Sequence, residues 1–194
     1  MNKEEKLTIT KSKLIESTTR LMEELDDPMM VTSREIAREA GVKAAMINYC
    51  FGSRENLIYQ VFQNQYMDFL KSSDVRSILS SGASDKQILK ELHFIVARCL
   101  IENPKLTKAV TGFVLFKRDL SQVSFSYPYV CRHYAGAKSD EECRLIAYEL
   151  SSALQLMIFR MEDLKKDFGI DLSDPEVLRH YIGMRIDLLL NDVV

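Results

Sequence analysis

The side chains of this sequence that could carry covalent or metal chemistry lie far apart. The cysteines and histidines are Cys50, Cys99, Cys131, Cys143, His93, His133 and His180. No cysteine pair has Cys-x-x-Cys spacing, and no Ser-His-Asp or metal-ligand spacing appears. We therefore expect no catalytic residue, no metal and no cofactor, and the chain is not predicted to be an enzyme. The cysteines are interpreted as incidental thiols of a reducing cytosol, with metal binding or redox sensing as the alternatives.

Composition favours a packed helical protein. Hydrophobic residues make up 46% and charged residues 28%, while 7 glycines and 4 prolines are few for a fold full of tight turns. No apolar run reaches the roughly 18 residues of a membrane helix, and the segment MNKEEKLTITKSK lacks the apolar core of a secretion signal. We expect a cytoplasmic protein without a membrane partner. The net charge of −2 excludes a generally basic protein, so any contact with nucleic acid must depend on where individual charges lie.

The polar residues of the segment 31–57 have the spacing that starts one short helix and, after a turn, another. The string TSRE is a capping box, in which Thr32 and Glu35 each satisfy the other's backbone N–H. Gly41 suits a left-handed turn, and a further helix is predicted at about 43–50. Two short helices joined by a glycine turn are typical of the helix-turn-helix motif, whose second helix enters the major groove of DNA.

The residues of this motif resemble the N-terminal domain of the TetR family of transcriptional regulators. The resemblance is carried by the strings TSREIAREAGV and NYCFGSRENL and covers roughly residues 10–57; beyond them it rests on length and helical character. It implies an all-α chain with a three-helix DNA-binding domain containing the helix-turn-helix at 1–54. It also implies a helical domain for ligand binding and dimerisation at 55–194.

The resemblance further implies which residues contact DNA. They are Thr32, Ser33, Arg34, Lys43, Ala44, Ala45, Met46, Asn48, Tyr49 and Arg54. Thr32, Ser33, Tyr49 and Arg54 would bind phosphate, and Lys43 would meet a phosphate or a base edge. Ala44, Ala45, Met46 and Asn48 would face the groove, where an asparagine can pair with adenine and a methyl group can touch thymine. For Arg34, phosphate contact and a solvated helix charge are equally open interpretations.

The chain departs from the family pattern within the second helix of the motif. Family members often have tyrosine where Asn48 stands, and histidine or tyrosine where Cys50 stands. The change at Asn48 replaces an expected backbone contact by a base contact. Cys50 is expected to pack against the first helix, with a thiol redox switch as the alternative. Arg54 stands where the family usually has lysine.

Outside the motif, apolar spacing predicts further helices and two connections. The predicted helices cover about 11–25, ended by Asp26-Asp27-Pro28, then 54–72, capped by Ser53, 85–102, 109–116, 140–168, ended by Gly169, and 175–190. Residues 73–84 are predicted as a polar link. Residues 121–137 alternate like a strand, but since no partner strand exists they are predicted as an irregular segment.

The C-terminal part supplies the candidates for a dimer and a ligand site. Apolar residues surround most of the last predicted helix, so a second copy of the chain is its expected cover. The predicted interface residues are Leu150, Leu154, Met157, Met161, Tyr181, Met184 and Leu188. The residues predicted for a mainly apolar ligand pocket are Phe94, Cys99, Phe113, Phe116, Tyr127, Tyr129, Tyr134, Met157 and Arg160. Core packing is the alternative for each, and Arg160 could anchor an anionic ligand or pair with Glu162 or Asp163.

The resemblance thus implies a homodimeric regulator, a repressor that binds a near-palindromic operator in double-stranded DNA and is released by a small apolar or amphipathic effector. One alternative is a helical protein-interaction module that does not bind DNA, in which substitution of Tyr49 and Lys43 changes nothing. The other is a small helical enzyme, in which Cys99→Ser abolishes turnover and Lys43→Ala does not.

Overall fold

The computed structural model describes residues 2–25, 30–71 and 73–191. Within these ranges the chain forms eleven helices and no strand, which confirms the predicted all-α class. The helices are α1 (Lys3–Glu24), α2 (Ser33–Glu39), α3 (Ala45–Phe51), α4 (Arg54–Leu70), α5 (Ser73–Leu79), α6 (Asp85–Glu102), α7 (Pro104–Phe116), α8 (Tyr127–Tyr134), α9 (Asp140–Phe159), α10 (Met161–Phe168) and α11 (Pro175–Leu189). The predicted stop at Asp26-Asp27-Pro28 lies outside the described residues. None of the helices in the described part is both long and apolar enough to pass through a bilayer.

Two compact units divide the chain, and each combines two separate stretches of sequence. The first unit consists of Met1–Phe69 and Asn103–Val114, and the second of Leu70–Glu102 and Leu115–Val194. The first unit extends past residue 54 because later helices supply part of its core. Leu57 and Val61 of α4 and Val110 of α7 are buried in it.

The helices α1, α2 and α3 pack against one another in the first unit. Leu14, Ile36 and Ile47, one from each of these helices, are fully buried in its apolar core. Burial of each such side chain contributes roughly 1.5–3 kcal/mol. Ala40 is also buried, and its small side chain permits a close approach of the neighbouring helices. The core therefore fixes the orientation of α2 and α3 through their apolar faces.

The second unit is arranged around α6, which packs against α5, α8, α9 and α11. Leu89, Leu92 and Val96 are buried along one side of α6, at the three- and four-residue spacing of a helix face. The helices α9 and α11 also pack against each other. The predicted ends of α6 are confirmed, since it begins at Asp85 and the chain starts a new helix at Pro104.

Two segments that were predicted as irregular contain helices. In the polar link, α5 forms because Val75 is buried against Ile88 and Leu92 of α6. In the segment 121–137, α8 forms with Pro128 in its first turn, where the missing N–H costs no helical hydrogen bond. Ala135 ends α8 at φ +45. Both predictions were wrong because they weighed local polarity and alternation above packing on α6.

The helix predicted over 140–168 is interrupted once. Arg160, at φ −98 and ψ 14, separates α9 from α10. The N–H of Arg160 donates to the carbonyl of Leu156 and its own carbonyl accepts from Leu164, each at 2.9 Å. These bonds continue the helical series across the interruption, so the apolar period is undisturbed and gives no sign of it. Gly169 ends α10 as predicted.

Candidate nucleic-acid interface

The connection between α2 and α3 is a tight turn that contains a glycine. Gly41 has φ +65, the predicted left-handed conformation, in which a side chain would be strained. The N–H of Val42 donates to the carbonyl of Ala37 at 2.9 Å, and the N–H of Gly41 to that of Arg38 at 3.2 Å. This Schellman pair satisfies the last carbonyls of α2. The chain therefore leaves α2 in one defined direction before α3 begins.

The helix α3 contacts the core with one face and exposes the other. Ile47 is fully buried, while Met46, Cys50 and Phe51 are half-buried against the same core. The exposed side chains in and just before this helix include Lys43, Ala44, Ala45, Asn48 and Tyr49. Tyr49 is 62% exposed, so its hydroxyl is accessible to a partner outside the chain. Among the contacts predicted for this helix, Met46 is the one that packs partly into the core.

The start of α2 carries the predicted capping box. The hydroxyl of Thr32 accepts from the N–H of Glu35 at 3.2 Å, and the N–H of Thr32 donates to the Glu35 carboxylate at 2.8 Å. The bond from the Thr32 backbone, its hydroxyl and the charge of Arg38 hold the pKa of Glu35 below its usual value. The carboxylate of Glu35 therefore belongs to the cap. Ser33, the first residue of α2, is half-buried.

The unpaired charges on α2 and α3 are positive. Glu39 forms an ion pair with Arg20 of α1, with 2.9 Å between Arg20 Nη1 and Glu39 Oε1. Arg34, Arg38 and Lys43 are exposed. None of these three cations forms an ion pair within the part of the chain that the structure describes. A net charge of −2 for the chain thus coexists with a locally positive surface.

Arg54, the first residue of α4, has partners inside the first unit. Its Nη1 donates to the carbonyl of Val31 at 3.0 Å, and its Nη2 lies 3.1 Å from a carboxylate oxygen of Glu55. The side chain is 26% exposed. Arg54 therefore links the start of α4 to the residue that precedes the capping box. The predicted cap at Ser53 is confirmed, since its hydroxyl accepts from the N–H of Asn56 at 3.0 Å.

Cys50 lies half-buried against the core of the first unit. Burial raises the pKa of its thiol, and the charge of Lys11 opposes this only in part. A higher pKa reduces the fraction of thiolate, which is the form that reacts with oxidants. These surroundings favour the packing role of Cys50 over the redox switch.

The nine residues predicted for a ligand pocket do not share one environment. Phe113 belongs to the first unit, where its ring centre lies 4.9 Å from that of Tyr59. Phe116 is 82% exposed. Arg160 is exposed and forms an ion pair with Asp163, which is the surface pairing considered as its alternative.

The other six predicted pocket residues belong to the second unit. The hydroxyl of Tyr134 donates to the carbonyl of Leu189 at 2.8 Å, so this buried ring links α8 to α11. Tyr127 donates to the carboxylate of Asp140 and lines a pocket of the second unit. The half-buried members of the set are Phe94, Cys99, Tyr129 and Met157.

The predicted dimer residues divide between the interior and the surface of the second unit. Leu150 and Leu154 of α9 are buried within the chain, whereas Met184 and Leu188 of α11 are exposed. The half-buried members are Met157, Met161 and Tyr181. The exposed apolar residues of α9 are Leu145, Leu156 and Phe159, which were not among the predicted interface residues. The apolar periodicity correctly indicated apolar helices. It could not indicate which sides of these helices the neighbouring helices of the same chain cover.

A buried histidine–serine pair was not predicted. The Nε2 of His93 in α6 lies 3.3 Å from the Oγ of Ser126, and its Nδ1 lies 2.9 Å from the carbonyl of Leu89. The carbonyl requires a donor, so Nδ1 carries the proton and Nε2 accepts from the serine hydroxyl. Burial lowers the pKa of His93 to about 4. The pair links α6 to the start of α8. Because both side chains are buried, the pair is inaccessible to a substrate.

The sequence matches no protein-family model and no curated protein. Among the described residues, no three His, Cys, Asp or Glu side chains gather in a way that could hold a metal ion. What this chain does must be inferred from its own residues.

Proposed function

We propose that the chain is a DNA-binding transcriptional regulator of the TetR type, with α1, α2 and α3 as its helix-turn-helix domain. It acts as a homodimeric repressor and is released from its operator by a small effector. The exposed side of α3 carries this proposal. Asn48, Tyr49 and Ala45 are exposed on this helix and Lys43 and Ala44 just before it, while its other side is fixed in the core.

The chemistry of these side chains suits the major groove. The ammonium group of Lys43 can bind a phosphate, and the hydroxyl of Tyr49 can donate to another. Asn48 can form two hydrogen bonds with adenine, while Ala44 and Ala45 can contact thymine methyl groups. The alanines also leave room for the helix to approach the base edges. Contacts to both phosphates and bases would give the helix affinity as well as sequence preference.

A dimer would compensate for the weak DNA binding that follows from the few cations available in each chain. Only a small number of phosphates can be neutralised per chain, so one copy should bind DNA weakly. Two copies on adjacent half-sites, about 34–36 Å apart, would multiply their affinities through an effective local concentration. The exposed Leu156 and Phe159 of α9, with Met184 and Leu188 of α11, supply an apolar surface for such a dimer.

Selection of bound duplexes from a random DNA library by the full chain tests the proposal. We expect enrichment of one inverted repeat at near-physiological salt. On that repeat, Lys43→Gln should weaken binding and reduce the slope of log affinity against log salt by about 1 for each phosphate that the lysine neutralises. Tyr49→Phe should weaken binding without changing that slope. Lys166→Gln, which removes an exposed lysine of α10, is the matched control and should change neither quantity.

Refolding of the protein from denaturant before selection removes any ligand that could hold it in a released state. A folded, dimeric and refolded chain that enriches no sequence would contradict DNA binding. The helical interaction module would then be the better hypothesis.

A further inference from the structure

The second unit contains a pocket of about 350 Å³ that no part of the proposed DNA contact uses. One wall is the segment 118–124, which follows α7, and the other is the first half of α9, from Glu141 to Tyr148. Tyr127, the first residue of α8, completes the lining. The volume falls at the lower end of the range of small-molecule sites, which is about 300–1,000 Å³.

Large apolar side chains surround this pocket without being covered by the chain. Leu120 is 67% exposed and Leu145 is 57% exposed, and they come from opposite walls. Val123, on the same wall as Leu120, is also exposed. Apolar side chains that converge on one opening are typical of ligand sites, whereas isolated ones need no explanation.

The pocket also contains a cation whose hydrogen-bonding capacity is incompletely used. The Nε of Arg118 is buried and has no hydrogen-bond partner among the described residues. The neighbouring carboxylate of Asp119 instead accepts from the N–H of Ser121 at 2.9 Å. A buried donor without an acceptor is unfavourable. Because this nitrogen is closed to solvent in the free chain, the Arg118 side chain must turn towards the pocket to meet a ligand oxygen.

The second arginine of the pocket is already neutralised. Arg144 of α9 donates from Nε to Asp140 at 2.6 Å, and its guanidinium lies 4.9 Å from the centre of the Tyr127 ring. Glu141, on the same wall, adds one negative charge. Glu141 therefore offsets Arg118 in the net charge of the lining, and an anionic group is favoured only next to Arg118, on the wall opposite Glu141.

We propose that this pocket binds a small amphipathic anion, an alkyl or aryl body with a single carboxylate that meets Arg118. The apolar body lies between Leu120, Val123 and Leu145. The binding itself does not depend on DNA recognition, but the assignment of this ligand as the effector rests on the proposed function.

Isothermal titration of the full chain with octanoate, and separately with octanol, tests the proposal. We expect saturable octanoate binding, one per chain, at least about tenfold tighter than that of octanol because a charge-assisted hydrogen bond is absent from the alcohol. Arg118→Gln should reduce octanoate binding to the level of octanol. Val123→Trp should weaken both ligands by filling the pocket.

Arg98→Gln is the matched control, because Arg98 is a half-buried arginine of α6 that pairs with Glu102 and does not line the pocket. It should leave both affinities unchanged. Circular dichroism establishes that each variant is folded, and Val123→Trp alone suffices as the test should Arg118→Gln not fold.

Three results would overturn the proposal: no saturable binding at millimolar octanoate, equal affinity for octanol, or octanoate binding that survives Val123→Trp. Because the titration contains no DNA, its failure is distinct from a failed operator selection. With an operator in hand, release of DNA by octanoate would identify the effector site.

Discussion

The two units place their polar and apolar side chains in opposite ways. In the first unit the described buried polar side chains are hydroxyls, two of which bond within their own helices: Thr18 donates to the carbonyl of Leu14 and Thr111 to that of Thr107, each at 2.6 Å. In the second unit a histidine and a glutamine, His93 and Gln155, are buried. Among the residues whose side chains the structure describes, the exposed large apolar residues of the first unit are Ile9, Met30 and Tyr49. Those of the second are Leu79, Phe116, Leu120, Val123, Leu145, Leu156, Phe159, Phe168, Met184 and Leu188.

This contrast indicates what kind of partner each surface suits. A surface rich in apolar side chains gains stability when another apolar surface covers it. The exposed side of α3 instead offers hydrogen-bond donors and a cation, which suit a hydrated and charged partner. The proposals for DNA, for a second copy of the chain and for an amphipathic anion follow this division between the units.

Negative charges introduced on the exposed apolar side of α11 are expected to have the largest effect, which is on dimerisation. In the double variant Met184→Glu and Leu188→Glu, each chain would bring two carboxylates into the proposed apolar interface. Uncompensated buried charges cost about 3 kcal/mol or more, so the dissociation constant of the dimer should rise at least about hundredfold. Sedimentation velocity over a concentration series measures this change.

Both side chains are exposed in the single chain, so helix content should stay the same. Lys108→Glu, at an exposed lysine of α7, controls for the added charge and should leave the dimer intact. A dimer that tolerates the double variant would place the interface elsewhere.

The buried His93 should make the second unit sensitive to acid. Its pKa is about 4 in the fold, below the ordinary value of 6.5, so between these values the unfolded chain binds more protons. The free energy of unfolding is therefore not reduced by His93 above pH 6.5, and it decreases as the pH falls towards 4. The loss amounts to roughly 3 kcal/mol over that window.

Urea unfolding at a series of pH values measures this dependence. His93→Gln should be less stable at neutral pH and should lose less stability on acidification than the parent chain. His180→Gln, at an exposed histidine of α11, should behave like the parent. Parallel pH profiles for the parent and His93→Gln would show that the buried imidazole is not the acid-sensitive group.

The smallest expected effect is a loss of stability on substitution of the residue that caps α2. Thr32→Ala removes the hydroxyl that accepts from Glu35, a loss of about 1 kcal/mol for a helix cap. For a chain of this size that corresponds to a fall in Tm of roughly 2–4 °C, measured by circular dichroism. Thr8→Ala is the control, because the Thr8 hydroxyl bonds within α1 to the carbonyl of Glu4 and caps no helix. Equal melting of the two variants would contradict the capping role.

The elements predicted best are those whose signals lie within a few residues. The capping box at Thr32, the left-handed Gly41 and the cap at Ser53 each depend on neighbours less than one helical turn away. A capping box also marks the start of the first helix, but it was not recognised in the sequence. There Asn2 and Glu5 form a capping box and start α1 well before the predicted residue 11.

The features that escaped prediction depend on contacts distant in sequence. The helix α5 requires Val75 to meet α6, and His93 meets Ser126 from 33 positions away. Likewise, the pocket brings Arg118 and Arg144 together from segments with no shared motif. Periodicity identifies an apolar face, but the neighbours that cover it are decided by the whole fold.

Positive φ angles at Gly41 and Gly52 bound the segment that contains α3. Inside it, Ile47 and its half-buried neighbours hold the helix to the core, while Ala44, Ala45 and Asn48 are exposed. Substitutions at such exposed positions usually alter stability by less than about 0.5 kcal/mol. The residues that shape the helix are thus separate from those that meet a partner. Descendants of this chain could diversify what they recognise, one side chain at a time, while inheriting the same scaffold.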